Sequence, residues 1–130
     1  MSKEVKFTAK IKNPDKNTLE AAIQNIMKAI KGAQILTGNS FRIWQKDLNR
    51  VGVCMKLPGM AYPVDVFIED GQIKIHGDEM DMHMANQIVE QFYKITYMQQ
   101  QVQTLAPTLN GLKTDITMDK EKARLEVAWF

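Results

Sequence analysis

The stretch "VDVFIEDGQIKIH" (64–76) constrains the fold more than any other part of the chain. Apolar and polar residues alternate on both sides of Asp70-Gly71, with Val64, Val66 and Ile68 on one face before it and Ile73 and Ile75 after it. Alternating runs joined by Asp-Gly make a tight hairpin, because both turn positions take positive φ, which Asp tolerates and Gly accepts freely. An antiparallel pair is therefore built in, and the remaining chain must extend it or cover it. "VGVCMKL" (51–57) extends it, with Val51, Val53, Met55 and Leu57 inward, and "PGMAYP" turns the chain back. "QILT" and "FRIW" flank Gly38-Asn39, a further turn signal. "VKFTAKIK" (5–12) sets Val5, Phe7, Ala9 and Ile11 against Lys6, Thr8, Lys10 and Lys12, a half-buried strand with a basic outer face.

Two amphipathic helices cover this sheet. In the first, Leu19, Ala22, Ile23, Ile26, Met27 and Ile30 recur at three- and four-residue spacing; Asn17 with Glu20 reads as a capping box and Gly32 as a stop. The second starts after Asp78 and runs for about 25 residues, roughly 37 Å. Met84, Ile88, Phe92 and Ile95 form its core stripe, which thins beyond Tyr97 to Val102 and Leu105 among glutamines before Pro107. That tail is expected to overhang the sheet. "LKTDITMD" and "ARLEVAWF" make a last hairpin across 119–122. The expected order is strand, helix, four strands, long helix, two strands. The chain reads as one α+β domain over 1–130: a single antiparallel sheet with both helices on one face and the other face open and polar.

Composition bounds the function. With 45% hydrophobic and 25% charged residues the chain is that of an ordinary globular domain. A net charge of +2 does not select nucleic acid by itself. The single Cys54 excludes an internal disulfide framework and fits a reducing compartment. No apolar run follows "MSKEVKF" and no stretch reaches membrane-spanning length, so a cytoplasmic protein is expected.

Chemistry-bearing residues concentrate in "IHGDEMDMH" (75–83). Asp78 as N-cap, Asp81 as its capping-box partner and Glu79 at the positive end of the helix dipole explain the acids by helix initiation. The alternative is a metal-dependent hydrolase using His76, Glu79 and His83, but one ExxxH pair lacks the strong zinc spacings. Neither a metal nor a cofactor is therefore expected. Zipping the hairpins by alternation opposes Cys54 to Phe67 and Lys56 to Asp65, with Asp65 in turn opposite His76. Cys54 and His76 then lie two strands apart, roughly 10 Å, too far for direct proton transfer. No Gly-rich phosphate loop and no serine elbow are present.

The polar face is the expected binding surface. It carries Lys6, Lys10, Lys12, Arg42, Lys56, Lys74, His76, Lys113 and Arg124, with Trp44, Phe67 and Phe130 among them. Cations interleaved with aromatics suit phosphate contacts and base stacking. The ligand-binding set expected from this face is Arg42, Trp44, Lys56, Phe67, Lys74 and His76. Asp65, Glu69, Asp115 and Glu126 share the face and equally describe a solvated surface.

The run from "FTAKIKN" through "TLEAAI", the helix containing "QFYKITY" and the ending "ARLEVAWF" resemble a small uncharacterised family found in algal plastids, cyanobacteria, other bacteria and some phages. The central strands differ from that pattern and the chain is richer in methionine. The resemblance implies the architecture, a non-enzymatic role and, with phage or bacterial carriers, sequestration of a host molecule. Together these observations predict a small non-catalytic binding protein. It would hold an anionic, nucleotide-like ligand on the polar sheet face or at the seam of a homo-oligomer formed through the long helix. A structural or adaptor subunit acting through a protein partner is the alternative.

Overall fold

The structure is a computed structural model that describes residues 4–36, 52–105 and 111–129. Its elements follow the expected order: β1 (Glu4–Thr8), α1 (Lys16–Ala29), β2 (Gln34–Leu36), β3 (Gly52–Lys56), β4 (Val64–Glu69), β5 (Gln72–Asp78), α2 (Glu79–Gln103), β6 (Leu112–Asp119) and β7 (Lys122–Trp129). The class is α+β. Strands β1-β5-β4-β3-β2 form one antiparallel sheet, while β6 and β7 pair, among the described residues, with each other alone as a second, two-stranded ladder. The single sheet of the sequence reading is thus two ladders. Alternation marks each strand but does not say which strands pair. The Gly38-Asn39 turn, "FRIW", Arg42, Trp44, Pro107 and Phe130 lie outside the described residues.

Asp70 and Gly71 both take positive φ, 54° and 72°, as the tight β4–β5 turn requires. The inward faces of β3, β4 and β5 meet the helices through Met55, Val64, Val66, Ile73 and Ile75, all fully buried. From α1 come Leu19, Ala22, Ile23 and Ile26. The buried stripe of α2 is Met82, Ala85, Ile88, Val89, Phe92, Tyr93 and Thr96; Ile88 and Phe92 lie on it as expected, whereas Ile95 is half-buried and Met84 is exposed. Phe7 sits on the helix side of β1 opposite Ile75, yet 39% of it is exposed because β1 is an edge strand. No helix among the described residues is long and apolar enough to cross a membrane.

Both helix starts depend on aspartate. At α2, Asp78 caps as expected, accepting from the Met80 amide at 2.9 Å. Asp81, read as its capping-box partner, is buried and accepts instead from the Ala61 and Tyr62 amides at 3.3 and 3.1 Å, tying the β3–β4 loop to α2. At α1 the cap is Asp15, not Asn17: its carboxylate accepts from the Thr18 amide at 2.9 Å. Both aspartate and asparagine suit an N-cap, and the chain starts the helix two residues earlier.

The tail of α2 does not overhang. Gln100 accepts from Thr18 Oγ1 of α1 at 3.0 Å, while Gln99 and Gln103 donate to Thr114 Oγ1 of β6 at 3.2 and 3.3 Å. Nearer its start, Gln91 accepts from the Ala123 amide at 3.1 Å and donates to the Glu121 carbonyl at 3.2 Å. The terminal hairpin is therefore fastened along α2 by glutamines, with Ile116 as its buried apolar anchor.

Candidate functional site

The outer face of the five-stranded sheet was the expected site, and its centre is closed. Phe67 is 1% exposed, Cys54 3% and Asp65 4%. A ring so buried offers no platform to a ligand base. Lys6 covers part of it, with its ammonium 5.9 Å from the Phe67 centroid and 3.2 Å from the Glu69 carboxylate. Lys74 is engaged as well, donating to Thr8 Oγ1 at 2.7 Å and to Gln72 Oε1 at 3.2 Å. Lys56 and His76 are half-buried on the same face. Lys74 lies opposite Phe67 and His76 opposite Asp65, as the hairpin register predicts. Alternation reports which side chains share a face, not what lies over it.

Across β3 and β4 the register is two residues from the one expected: Cys54 faces Asp65, and Gly52 faces Phe67. Cys54, Asp65 and His76 thus form a row over three strands, with the carboxylate in the middle. A nucleophile needs its base beside it, and here Asp65 separates thiol from imidazole. Burial, and then the charge and hydrogen bond of Asp65, push the Cys54 thiol up to about 12. It is a buried, protonated donor to a carboxylate. The hydrolase alternative finds no support either, since Glu79 and His83 are exposed on α2 while His76 lies on the sheet. Among the described residues no three His, Cys, Asp or Glu side chains converge as metal ligands.

The cations that do gather beside aromatics lie elsewhere. Past Thr8 the chain leaves β5 after one more bond, the Ala9 amide to the Ile73 carbonyl at 2.9 Å. It then folds over α2 through Asn13, at φ 46°, and Pro14. Two contacts pin it there. Glu90 accepts from the Lys10 amide at 2.7 Å, and the Tyr93 hydroxyl accepts from the Asp15 amide at 2.8 Å. Between this loop and α2 lies a cleft of about 720 Å³, lined by Lys10, Lys12, Lys94, Tyr93, Tyr97 and Met98 among others. Its volume is in the range of small-molecule sites.

Three lysines face one carboxylate in this lining, and that carboxylate, Asp15, already caps α1. Among the described residues no acid forms an ion pair with Lys10, Lys12 or Lys94. Tyr97 is 53% exposed and stands one turn beyond the buried Tyr93 on the same face of α2. The cleft thus offers unpaired positive charge, an accessible ring and the thioether of Met98.

Lys10 and Lys12 were expected on the sheet face, but β1 ends at Thr8 and they belong to the loop. Tyr93, Lys94 and Tyr97 were missed as site residues. Their signal was the "YKITY" run, two tyrosines at i,i+4 with a lysine beside the first. No family model, curated protein or solved structure matches the chain, so the site is read from its own residues.

Proposed function

We propose that the protein is a non-catalytic binding protein whose ligand is a small aromatic anion of the nucleotide type. The ligand is held between the 10–15 loop and the second half of α2. The observation that carries this reading is the gathering of Lys10, Lys12 and Lys94 around a cleft that also presents Tyr97. Phosphate oxygens would meet the ammonium groups, and the base would stack on the Tyr97 ring. The expected chemistry of the sequence reading is kept, and its place moves from the sheet face to the loop. A buried thiol held protonated beside a carboxylate suits a binding protein that does no covalent work, and a reducing cytoplasm suits a lone cysteine.

Calorimetric titration with nucleoside mono-, di- and cyclic phosphates tests the proposal. Tyr97→Ala should cost on the order of 1–3 kcal/mol with little salt dependence. Lys12→Ala and Lys94→Ala should weaken binding more at low salt than at high salt, because screening already discounts an exposed charge. Absence of binding by every nucleotide below millimolar would overturn the reading. The adaptor alternative would then lead, resting on exposed Tyr97, Met98 and Leu105 in the second half of α2.

A further inference from the structure

The β6–β7 ladder carries an unusual charge arrangement on its outer face. Asp115 and Glu126 stand directly opposite each other, a like-charge cross-strand pair. Such pairs destabilise a ladder. A two-stranded ribbon is moreover marginal by itself, and among the described residues no third strand pairs with either of its edges. At β7 the direction of that edge is fixed. The Ala123 amide turns away from β6 to Gln91, so alternation sends the amides and carbonyls of Leu125 and Val127 outward as well. Gln91 closes the turn end of this edge. Farther along, α2 passes towards β6, where Gln99 and Gln103 bind Thr114. Val127 is on the helix side of the ribbon and yet 47% exposed.

We propose that β7 pairs antiparallel with β7 of a second copy of this chain, with Leu125 opposite its own equivalent across a two-fold axis. Charge selects both the partner and the register. The outward-facing residues 123, 125 and 127 must oppose one another, which leaves registers two residues apart. One step in one direction sets Arg124 against its own copy, which offsets the two Lys122–Glu126 pairs of that register, and one step in the other sets Glu126 against its own. Only the register centred on Leu125 places Arg124 of each copy opposite Glu126 of the other, twice by symmetry. In that register Glu126, set against Asp115 within its own chain, gains a cation. The exposed Val127 packs beside Ala123 of the second copy, whose amide exchanges Gln91 for the Val127 carbonyl. The ribbons become a continuous four-stranded sheet. Lys122, Arg124 and Glu126 still deter other strands, as edge charges do. This assembly runs through β7 rather than through the tail of α2, where Gln99, Gln100 and Gln103 bind the hairpin and α1.

The experiment is sedimentation of the full chain at low salt. The wild type should be a dimer at micromolar concentration. Glu126→Arg sets two arginine pairs against each other and should weaken dimerisation about tenfold or more. The same change should keep or raise the melting temperature, because it gives Asp115 an opposite charge. Arg124→Glu should weaken dimerisation to a similar extent, at the loss of its exposed bridge to Asp119 (2.8 Å). Mixing the two single variants should restore a dimer, now a heterodimer with glutamates on one strand facing arginines on the other. A wild type that is monomeric at high micromolar concentration would overturn the proposal. So would a dimer indifferent to Glu126→Arg, which would place the interface elsewhere, or well-folded single variants that stay monomeric when mixed.

Discussion

Cys54 and Asp65 face each other across β3 and β4, both buried, on the side of the sheet away from the helices. Burial and the neighbouring carboxylate raise the thiol from its usual 9.0 to about 12. The folded state therefore holds its proton more tightly than the unfolded chain does. Its contribution to stability is complete below pH 9 and is lost as pH rises from 9 towards 12. Urea unfolding across that interval should show the wild type losing stability more steeply than Cys54→Ala, with the two curves parallel at lower pH. A native thiol that reacts with an aromatic disulfide as fast as the unfolded chain would contradict this picture. The residue-scale reading from sequence was right across β4 and β5, where the Asp-Gly turn leaves no freedom in the register. It slipped by two at β3, because the residues between Lys56 and Val64 form a longer loop that Asp81 anchors from α2. A slip of two keeps every side chain on its face. The core was therefore legible while the neighbours of Cys54 were not.

At the scale of elements, β5 runs directly into α2, with no residue between Asp78 and Glu79. Gly77 is buried, and a Cβ there would lie 2.8 Å from Val64 Cγ1 and 2.9 Å from Met82 Cε. Its bare backbone lets the first turn of α2 close on β4. Gly77→Ala should destabilise by about 1–3 kcal/mol through overpacking. Adding Val64→Ala should recover less than it costs alone in the wild type, because Val64 is itself core, but the two effects should be clearly non-additive. Denaturant midpoints of the four proteins measure this, and simple additivity would show that the backbone shifts instead. Nothing in "IHGDEMDMH" distinguishes a glycine needed for close approach from one that merely ends a strand. Asp78 was legible as a cap because its role is local, whereas the loop partners of Asp81 lie 19 and 20 residues away in sequence.

For the whole molecule, helix and strand were legible from periodicity, since each period reports a face buried against something. What each face meets depends on docking, and two docking events went unread. One lays the 10–15 loop over α2 and makes the lysine cleft. The other fastens the terminal hairpin through Gln91, Gln99 and Gln103, residues that look like a solvated surface in a linear reading. That fastening has a consequence for the way the molecule opens. A ribbon held by exchangeable amide contacts, the buried Ile116 and the half-buried Met118, Ala123 and Leu125 can lift away while the five-stranded sheet stays closed, so the protein should behave as two cooperative units in amide hydrogen exchange. Backbone amides of β4 and β5 should exchange only through global unfolding, and those bonding β6 to β7 through a cheaper partial opening. Gln99→Ala with Gln103→Ala should speed exchange in β6 and β7 and leave β4 and β5 unchanged. Equal protection of both ladders, or equal acceleration by the double variant, would mean that the hairpin and the sheet unfold as one. If they do not, the most easily released part of the molecule is also the part that exposes the outer flank of α2, and the chain can uncover that flank without losing its fold.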